Sequence, residues 1–458
     1  MRDIFVTLIF FGSMTLAIKR PYVAALLWVW IGLMNPHRMG WGFAYYFPFA
    51  MIAAVALVFS IVINPGKVRL PKGAPVFVLL LLVAWMGVTT FGAIAFSESM
   101  AKYIDTLKVI LMTFVVAAVV RTREEVLGLV LVTTGSVALF GIKGGIFTIL
   151  TGGNYLVWGP PSSVIEGNNE LAVALIIVVP LLYFMSMHVN LFRQLPGMTW
   201  MPEKLMRSGL YVSVLLCLIS ALGSHSRGAL LAMATMGMLL WWRSKSKAML
   251  GAVILIMLVI ALAFMPEGWT ERMNTIGTYE EDASAMGRIN AWTMAINIAD
   301  DRLLGAGFVT DLPAIYQTYA PNPNFVIVAH SIYFEILGEH GYIGLFLYLL
   351  FWLMTYRLAG RITRLTTGKD DLQWAFLLGS MSKVSLISFA VGGAFLSLAY
   401  WDMPYYIMVI LLCTERLVVD ALAVAASDTP GLGASPGMPT HGDHLKWVAT
   451  TRQSPERG

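Results

Sequence analysis

The chain is poor in charged residues. Only 12% of its 458 residues are Asp, Glu, Lys or Arg, whereas 58% are hydrophobic. Soluble globular proteins carry about 25% charged residues, so this composition excludes that class and indicates an integral membrane protein. The apolar runs are continuous rather than alternating, which argues against a transmembrane barrel. Because lipid leaves no other way to pair the backbone, we predict an all-α fold.

Cysteine and metal-binding patterns are also scarce. Cys217 and Cys413 both lie inside apolar runs, so neither a disulfide nor a cysteine metal site is predicted. The seven histidines show no H-E-x-x-H spacing, and we predict no metal and no cofactor. The net charge of +5 predicts no nucleic-acid partner, because the basic residues are concentrated in alternate short loops between apolar runs.

The apolar runs predict a polytopic helical membrane bundle of about 12 transmembrane helices. Twelve spans would place the N-terminus in the cytoplasm and thirteen outside it, and both counts stay open. The positive-inside rule assigns the Lys- and Arg-rich loops to the cytoplasm, so the opposite loops face the periplasm. The predicted parts are N-terminal transmembrane helices in 1–265, one large periplasmic loop containing helices in 266–330, C-terminal transmembrane helices in 331–420, and a disordered cytoplasmic tail in 421–458.

The large loop contains one clear helical pattern. Residues 285–299 place apolar side chains at helical spacing, and the predicted apolar stripe is Ile289, Trp292, Ala295, Ile296 and Ala299. The acidic residues at 280–282 precede this helix and are interpreted as a solvated turn. We expect so apolar a loop to dock on the membrane-embedded bundle and to cover a cavity.

Three residues on the predicted periplasmic side suggest a site for an anionic, lipid-linked substrate. Arg227 lies between two apolar runs, where a charge is costly in a membrane, and opens a helix whose N-terminus favours anions. Arg288 lies near the start of the loop helix, and His330 opens the next predicted span over 331–356. Two arginines suit a pyrophosphate, and a neutral imidazole near pH 7 can accept a proton from a hydroxyl.

Other polar residues have weaker signals. Asn168 and Asn169 begin a span, which is typical of a helix N-cap, and contact with sugar hydroxyls is the alternative. Glu339 should point away from His330 at about 100° per residue, so a salt bridge or a packing role is predicted for it.

With these residues identified, the chain resembles the O-antigen ligase and polymerase superfamily of bacterial inner-membrane glycosyltransferases. The resemblance covers about residues 1–420, and the Ser at 331 departs from the Asn that usually follows the histidine. The N-terminal pattern is similar to a branch described as O-glycosylation ligases. The matching motifs are NNELA at 168–172, SRGALL at 226–231, GRINAW at 287–292, LGAG at 304–307, HSIYFEILGEHGYIGL at 330–345, and, for the branch, MNPHR at 34–38 with WGFA at 41–44.

The resemblance implies a metal-independent transferase in the bacterial inner membrane with its active site facing the periplasm. The donor would be a glycan on undecaprenyl pyrophosphate. Arg227 and Arg288 would hold the pyrophosphate, and His330 would activate or position the acceptor. Asn168, Asn169, Ser331 and Arg38 are expected to bind substrate.

The acceptor stays open at this point. It is a lipid A–core sugar in ligases, which we favour, another lipid-linked repeat in polymerases, and a serine or threonine hydroxyl in protein O-oligosaccharyltransferases. A transporter of an anionic lipid is the alternative of another class. Transport predicts internal repeats and interrupted helices near the middle of the membrane, and the sequence shows no convincing repeat.

Overall fold

The computed structural model describes residues 2–244, 246–249, 251–252, 255, 259 and 283–427. These residues contain helices, turns and loops and no strand, which confirms the predicted all-α class. The α-helices are α1 (Arg2–Lys19), α2 (Pro21–Met34), α3 (Phe49–Ile63), α4 (Ala74–Phe91), α5 (Phe96–Val119), α6 (Arg123–Leu150), α7 (Asn168–Met187), α8 (Val189–Phe192), α9 (Glu203–Gly223), α10 (Arg227–Arg243), α11 (Ala283–Asp301), α12 (Pro313–Tyr319), α13 (Ile332–Thr366), α14 (Gln373–Gly393) and α15 (Asp402–Ser427).

Six helical stretches among the described residues are long and apolar enough to cross a membrane: α4, α6, α7, α9, α13 and the stretch Asp370–Gly393, which contains α14. Helices α2 and α3 are apolar but shorter; about 20 residues are needed to cross the hydrocarbon core. The chain is therefore a multi-pass membrane protein. The predicted count of about 12 spans stays a prediction, because the apolar run over 248–265, which is one of the counted runs, lies largely outside the described residues.

Two other predicted features also lie outside the described residues: the acidic patch at 280–282 and most of the tail. Residues up to Val418 form one compact unit. The described part of the remainder, 419–427, is the helical C-terminal end of α15.

Helix α7 is the most buried of these candidate spans: 83% of its most apolar 18-residue stretch is buried inside the protein. It packs against α6, α9, α10 and α14. A helix that is apolar on every side belongs in the interior of a bundle. The first turn of α7 is thereby placed next to the neighbouring helices that carry the candidate site.

Helix α13 is interrupted near its start, which corrects the continuous span predicted over 331–356. Gly341 has φ 66° and ψ −172°, a conformation that glycine adopts without steric cost. Residues 332–340 therefore form a separate helical piece before the break, and 342–366 continue beyond it. Hydropathy could not reveal this break, because both pieces are apolar.

The carbonyls freed near this break are paired with the segment 302–308. The N–H of Ala306 donates to the carbonyl of Gly338 at 2.9 Å, and the N–H of Gly307 donates to the carbonyl of Glu339 at 3.0 Å. An unpaired buried backbone group is costly, so the break and this segment depend on each other.

The helix predicted at 285–299 is present as α11, and the face that it buries coincides with the predicted stripe only in part. Ala295 and Ala299 are buried as predicted, whereas Ile289 and Ile296 are 40% and 38% exposed. The remaining buried side chains come from an adjacent face, because α11 packs on α12 and on α13 at once. Its core consists of Ala291, Met294, Ile298, Ala306, Ile315 and Tyr316.

Candidate functional site at three helix starts

The N-terminal ends of α7 and α13 meet at the C-terminal end of α14. A Cβ atom placed on Gly393 would lie 2.7 Å from Cδ1 of Ile332, the first residue of α13. A Cβ atom on Gly392 would lie 2.5 Å from Cγ1 of Val173, in the second turn of α7. The paired glycines therefore allow both helices to approach the end of α14 closely.

Helix α10 begins at the same place. A Cβ atom on Gly228 would lie 3.3 Å from Cβ of Phe395, just after the end of α14. Ser226 caps α10, with its Oγ accepting the N–H of Ala229 at 3.3 Å. Arg227 is the first residue of the helix and is half-buried. Its guanidinium thus adds charge to a helix start that already favours an anion.

His330 lies just before α13, and α11 determines its setting. Its φ of 45° lies in the left-handed region, which few residues other than glycine adopt. The indole N–H of Trp292 in α11 donates to the carbonyl of Ala329 at 2.7 Å. The Trp292 ring also stacks on Phe334, with centroids 4.9 Å apart and planes 12° from parallel. His330 is half-buried, and Ser331 beside it is fully buried.

Helix α11 carries Arg288 to this region. A Cβ atom on the preceding Gly287 would lie 2.7 Å from both Cδ1 of Ile327 and Cε1 of Phe325. The backbone of α11 therefore packs directly on the segment that leads to His330. Arg288 is half-buried there.

The charge of Arg288 acts on groups at two of the helix starts. Burial, and after it the positive charge of Arg288, lower the pKa of His330 below its ordinary value of 6.5. Arg288 also lies within electrostatic reach of Glu170 in the first turn of α7. Arg288 therefore lies close to both His330 and the start of α7, and His330 is neutral at pH 7.

The two asparagines lie in the first turn of α7, and the predicted N-cap role is wrong. The N-cap residue is Gly167, because the helix already begins at Asn168. The Asn168 amide instead donates to the carbonyl of Ser224 at 2.8 Å, which ties the start of α7 to the loop before α10. Asn169 is half-buried in the same turn.

Arg38 lies beside the loop that leads into α7. Its guanidinium carbon is 4.5 Å from the centre of the Tyr45 ring, a cation–π distance. The Tyr45 hydroxyl lies 3.4 Å from the hydroxyl of Ser162. Arg38 is thus linked through Tyr45 to Ser162, which lies six positions before Asn168. These contacts do not join Arg38 directly to Arg227, Arg288 or His330.

A polar network surrounds the buried Glu339 at the end of the piece 332–340, and most of its members were not foreseen from the sequence. Lys102 Nζ lies 2.8 Å from Oε1 of Glu339, which confirms the salt bridge predicted for that carboxylate. The Tyr400 hydroxyl donates to the other oxygen of Glu339. His340 Nε2 lies 2.9 Å from the Tyr400 hydroxyl, and its Nδ1 lies 2.7 Å from the hydroxyl of Thr89.

An apolar cavity of about 260 Å³ lies between α13 and α14. It begins at Ile332, two residues after His330, and reaches Tyr356 on the far side of the break in α13. Its wall is almost entirely apolar, and the residues that line it are Ile332, Tyr333, Leu349, Trp352, Leu353, Tyr356, Leu386, Ile387, Phe389 and Ala390.

In the part of the chain that the structure describes, no group of three or more His, Cys, Asp or Glu side chains is arranged to hold a metal ion.

The helical fold and this site define a multi-pass membrane protein with cationic side chains gathered at helix N-termini. Residues 212–349 match the model of a family described as O-antigen ligase, and this segment contains Arg227, Arg288 and His330. This match supports the resemblance to the O-antigen ligase superfamily that the motifs suggested. Residues 1–190 match the model of a family of unknown function, DUF5935. No curated protein matches the chain.

The matched domain is that of a glycan-transferring membrane enzyme of the ligase or polymerase type. Lipid-linked glycans and lipid acceptors are the general partners of this class.

Proposed function

We propose that the protein transfers a glycan from undecaprenyl pyrophosphate to a hydroxyl acceptor at the periplasmic face of the bacterial inner membrane. The observation that carries this proposal is the convergence of helix starts at the end of α14. Arg227 lies at the start of α10 and His330 lies at the start of α13, and the charge of Arg288 acts on His330. Two cations beside a neutral imidazole suit a pyrophosphate and a hydroxyl together.

In the proposed reaction, Arg227 and Arg288 bind the pyrophosphate oxygens of the donor. The acceptor oxygen attacks the anomeric carbon while the bond from that carbon to the phosphate oxygen breaks. The leaving pyrophosphate keeps the bonding electron pair, and the two guanidinium groups stabilise the negative charge that develops on it. The acceptor proton passes to the imidazole of His330 and then to solvent. The products are the glycosylated acceptor and undecaprenyl pyrophosphate.

The apolar cavity between α13 and α14 offers a place for the carrier lipid. It starts at Ile332, so a pyrophosphate held near His330 would have its first isoprenyl units at the mouth of the cavity. Because the carrier tail already lies in lipid, the cavity would contribute packing contacts and not transfer from water, and the surrounding membrane lipids can exchange with the rest of the tail. The arginines would then provide the selectivity for pyrophosphate.

The acceptor that we favour is a sugar of lipid A–core. We assign Asn169 and Ser331 to the substrate-binding surroundings of His330, and Arg38 to the adjacent loop. The Asn168 amide N–H₂ is already bonded to Ser224, so its part in substrate binding would fall to its side-chain oxygen.

The interruption of α13 does not favour the transport alternative. In transporters, the groups released at a broken helix coordinate ions or substrate. Here the carbonyls of Gly338 and Glu339 accept N–H groups of Ala306 and Gly307. The break therefore serves internal packing.

The direct test is deletion of the gene, followed by a gel of the cell's lipopolysaccharide and analysis of its lipid-linked intermediates. We expect loss of glycan-capped lipopolysaccharide and accumulation of long glycan on the polyprenyl carrier. Core capped by a single repeat would identify a polymerase, and unchanged lipopolysaccharide with altered glycoproteins would identify a protein ligase. No change in any glycan would refute transfer.

A further inference from the structure

The segment 302–308 directly follows α11 and is held by the α4–α5 corner, which we define as residues 85–102. Arg302 Nη2 donates to the carbonyl of Gly92 at 2.8 Å. The N–H of Ile94 donates to the carbonyl of Ala306 at 2.9 Å. This corner lies in the part of the chain that matches the family of unknown function, whereas 302–308 lies in the O-antigen ligase part.

Lys102 makes the charged contact of this corner. Its Nζ donates to the carbonyl of Phe308 at 2.9 Å and to Oε1 of Glu339 at 2.8 Å. Glu335 lies further away, with Oε1 at 3.9 Å from the same nitrogen. The side chain of Glu339 is only 2% exposed. One ammonium therefore joins the end of the segment 302–308 to the helical piece 332–340.

The α4–α5 corner contacts the same piece through neutral groups as well. The Trp85 indole N–H donates to the carbonyl of His340 at 2.9 Å. The Thr89 hydroxyl lies 2.7 Å from Nδ1 of the same residue. The Tyr400 hydroxyl joins His340 to Glu339. The end of the piece 332–340 is thus held from several sides.

These contacts hold both elements that position Arg288 and His330 in the candidate site. Helix α11, which carries Arg288, is anchored at its end by the segment 302–308. The piece 332–340, which begins two residues after His330, is anchored at its end by Glu339. Lys102 bonds to both anchors, so its position contributes to how α11 is placed relative to the start of α13, together with the direct backbone bonds of Ala306 and Gly307.

We propose that Lys102 is a positioning residue that sets the placement of Arg288 relative to His330. Through it, the α4–α5 corner of the region of unknown function contributes to glycan transfer. The inference rests on the proposed function for the roles of Arg288 and His330. Replacement of Lys102 by a neutral residue would leave the buried Glu339 without its closest positive charge and would release the Phe308 carbonyl, so both anchors would loosen together.

The first test compares transfer by Lys102→Met and by Lys108→Met, a matched control. Lys108 lies on the same helix and pairs with Asp105 at 2.9 Å, but both side chains are exposed. We expect Lys102→Met to lower kcat about 30- to 100-fold with little change in the donor KM, because a displacement of about 1 Å can cost 10²-fold. Lys102→Arg should recover most of the activity, and Lys108→Met should match the wild type. Normal kcat in Lys102→Met would overturn the proposal.

Two further variants keep the test decisive if Lys102→Met fails to insert. Tyr400→Phe removes only the hydroxyl that donates to Glu339, and we expect a smaller loss of kcat in the same direction. Lys102→Met/Glu339→Gln should be no worse than Lys102→Met, since partners that act as a unit are not additive. Normal kcat in Tyr400→Phe, or losses that multiply in the double variant, would show that the groups do not act together.

The second test measures placement without reference to activity. Spin labels at Ile296→Cys on α11 and Ile104→Cys on α5 give an interlabel distance; both positions are exposed, and the native cysteines are buried. In Lys102→Met we expect a longer or broader distance distribution, which Lys108→Met should not show. An unchanged distribution with lost transfer would assign Lys102 a chemical role and overturn positioning. If His330→Ala retained transfer, the proposed function would fail, while the labels would still report whether Lys102 positions α11.

Discussion

Trp292 and Phe334 stack with their ring centroids 4.9 Å apart. Trp292 belongs to α11, which also carries Arg288. Phe334 lies at the start of α13, just after His330. An offset-stacked aromatic pair contributes about 0.5–1.5 kcal/mol beyond the area that it buries. The pair therefore links the two elements at the site itself, whereas the Lys102 contacts link the segment after α11 to the end of the helical piece 332–340.

Trp292 provides a test of this link. Trp292→Ala removes both the stacking and the hydrogen bond to Ala329, and we expect transfer to fall about 100-fold through misplacement of His330. Trp292→Phe retains an aromatic ring and should be less impaired. The control is Trp241→Phe, which removes a similar indole bond, to the carbonyl of Lys247, at the other end of α10. Equal losses in the Phe variants of Trp292 and Trp241 would contradict a local role.

Alanine variants test the three candidate catalytic residues. Arg227→Ala, Arg288→Ala and His330→Ala should each lower transfer at least about 10²–10³-fold, the usual effect of removing a group that stabilises the transition state. Insertion and folding should be retained, as checked by membrane fractionation and thermal unfolding. Arg243→Ala is the matched control, because Arg243 ends the helix that Arg227 begins. Retained glycan attachment in all three variants would refute the site.

The shape of the Arg288 side chain is tested separately by Arg288→Lys. Lysine keeps the charge but cannot form the planar two-pronged contact with phosphate oxygens. We expect kcat/KM for the lipid-linked donor to fall by about tenfold or more, in line with the loss of one charge-assisted hydrogen bond. Wild-type kcat/KM in this variant would indicate that charge alone is needed.

The pH dependence of transfer should report His330. Burial and the charge of Arg288 lower its pKa below 6.5, so the imidazole is neutral and able to accept a proton at pH 7. Activity should fall only when the pH drops below 6.5 and through the lowered pKa. Arg288→Gln removes a cation that disfavours the imidazolium, so the pKa of His330 should rise. Reactivity of His330 toward diethyl pyrocarbonate, followed by mass spectrometry across pH, measures this shift even in an inactive variant; an unmoved profile would rule out the electrostatic effect.

Helix packing away from the site is tested with two glycines of α6. A Cβ atom on Gly145 would lie 2.3 Å from the backbone oxygen of Leu216 in α9, so Gly145→Ala should destabilise the protein by about 1–3 kcal/mol through overpacking. At Gly135 a Cβ atom would meet no heavy atom of the described residues within 4 Å. Gly135→Ala should therefore be neutral or stabilising by up to about 1 kcal/mol. Thermal unfolding in detergent compares the two variants. Similar melting temperatures for Gly145→Ala and Gly135→Ala would contradict the close approach of α6 and α9.

Much of the helical framework was predictable from hydropathy alone. The apolar runs over 168–187 and 228–242 of the sequence correspond to α7 and α10, found at Asn168–Met187 and Arg227–Arg243. The break at Gly341 was not predictable in this way, because an apolar run shows that a segment is buried and does not show where its backbone turns. The face buried by α11 was predicted only in part, because the apolar residues of this helix cover more than one stripe and its packing partners select between them.

The candidate residues could be named one by one from the sequence, but their arrangement in space could not. An arginine between apolar runs and a histidine before another run were visible as isolated anomalies. Lys102 was visible only as a lysine on a side of the membrane that has few. Its partner Glu339 lies 237 positions further along the chain, and no local pattern can indicate a pair so distant.

The sequence by itself determined that the protein is helical and embedded in a membrane, because low charge and long apolar runs leave the backbone no other way to pair in lipid. It also placed Arg227 and the histidine at the starts of helices, since capping and hydropathy are local properties. The tertiary structure alone decided that the starts of α7, α10 and α13 meet at the end of α14. Close approach at Gly392 and Gly393 depends on which helices face each other, and long-range packing sets that arrangement.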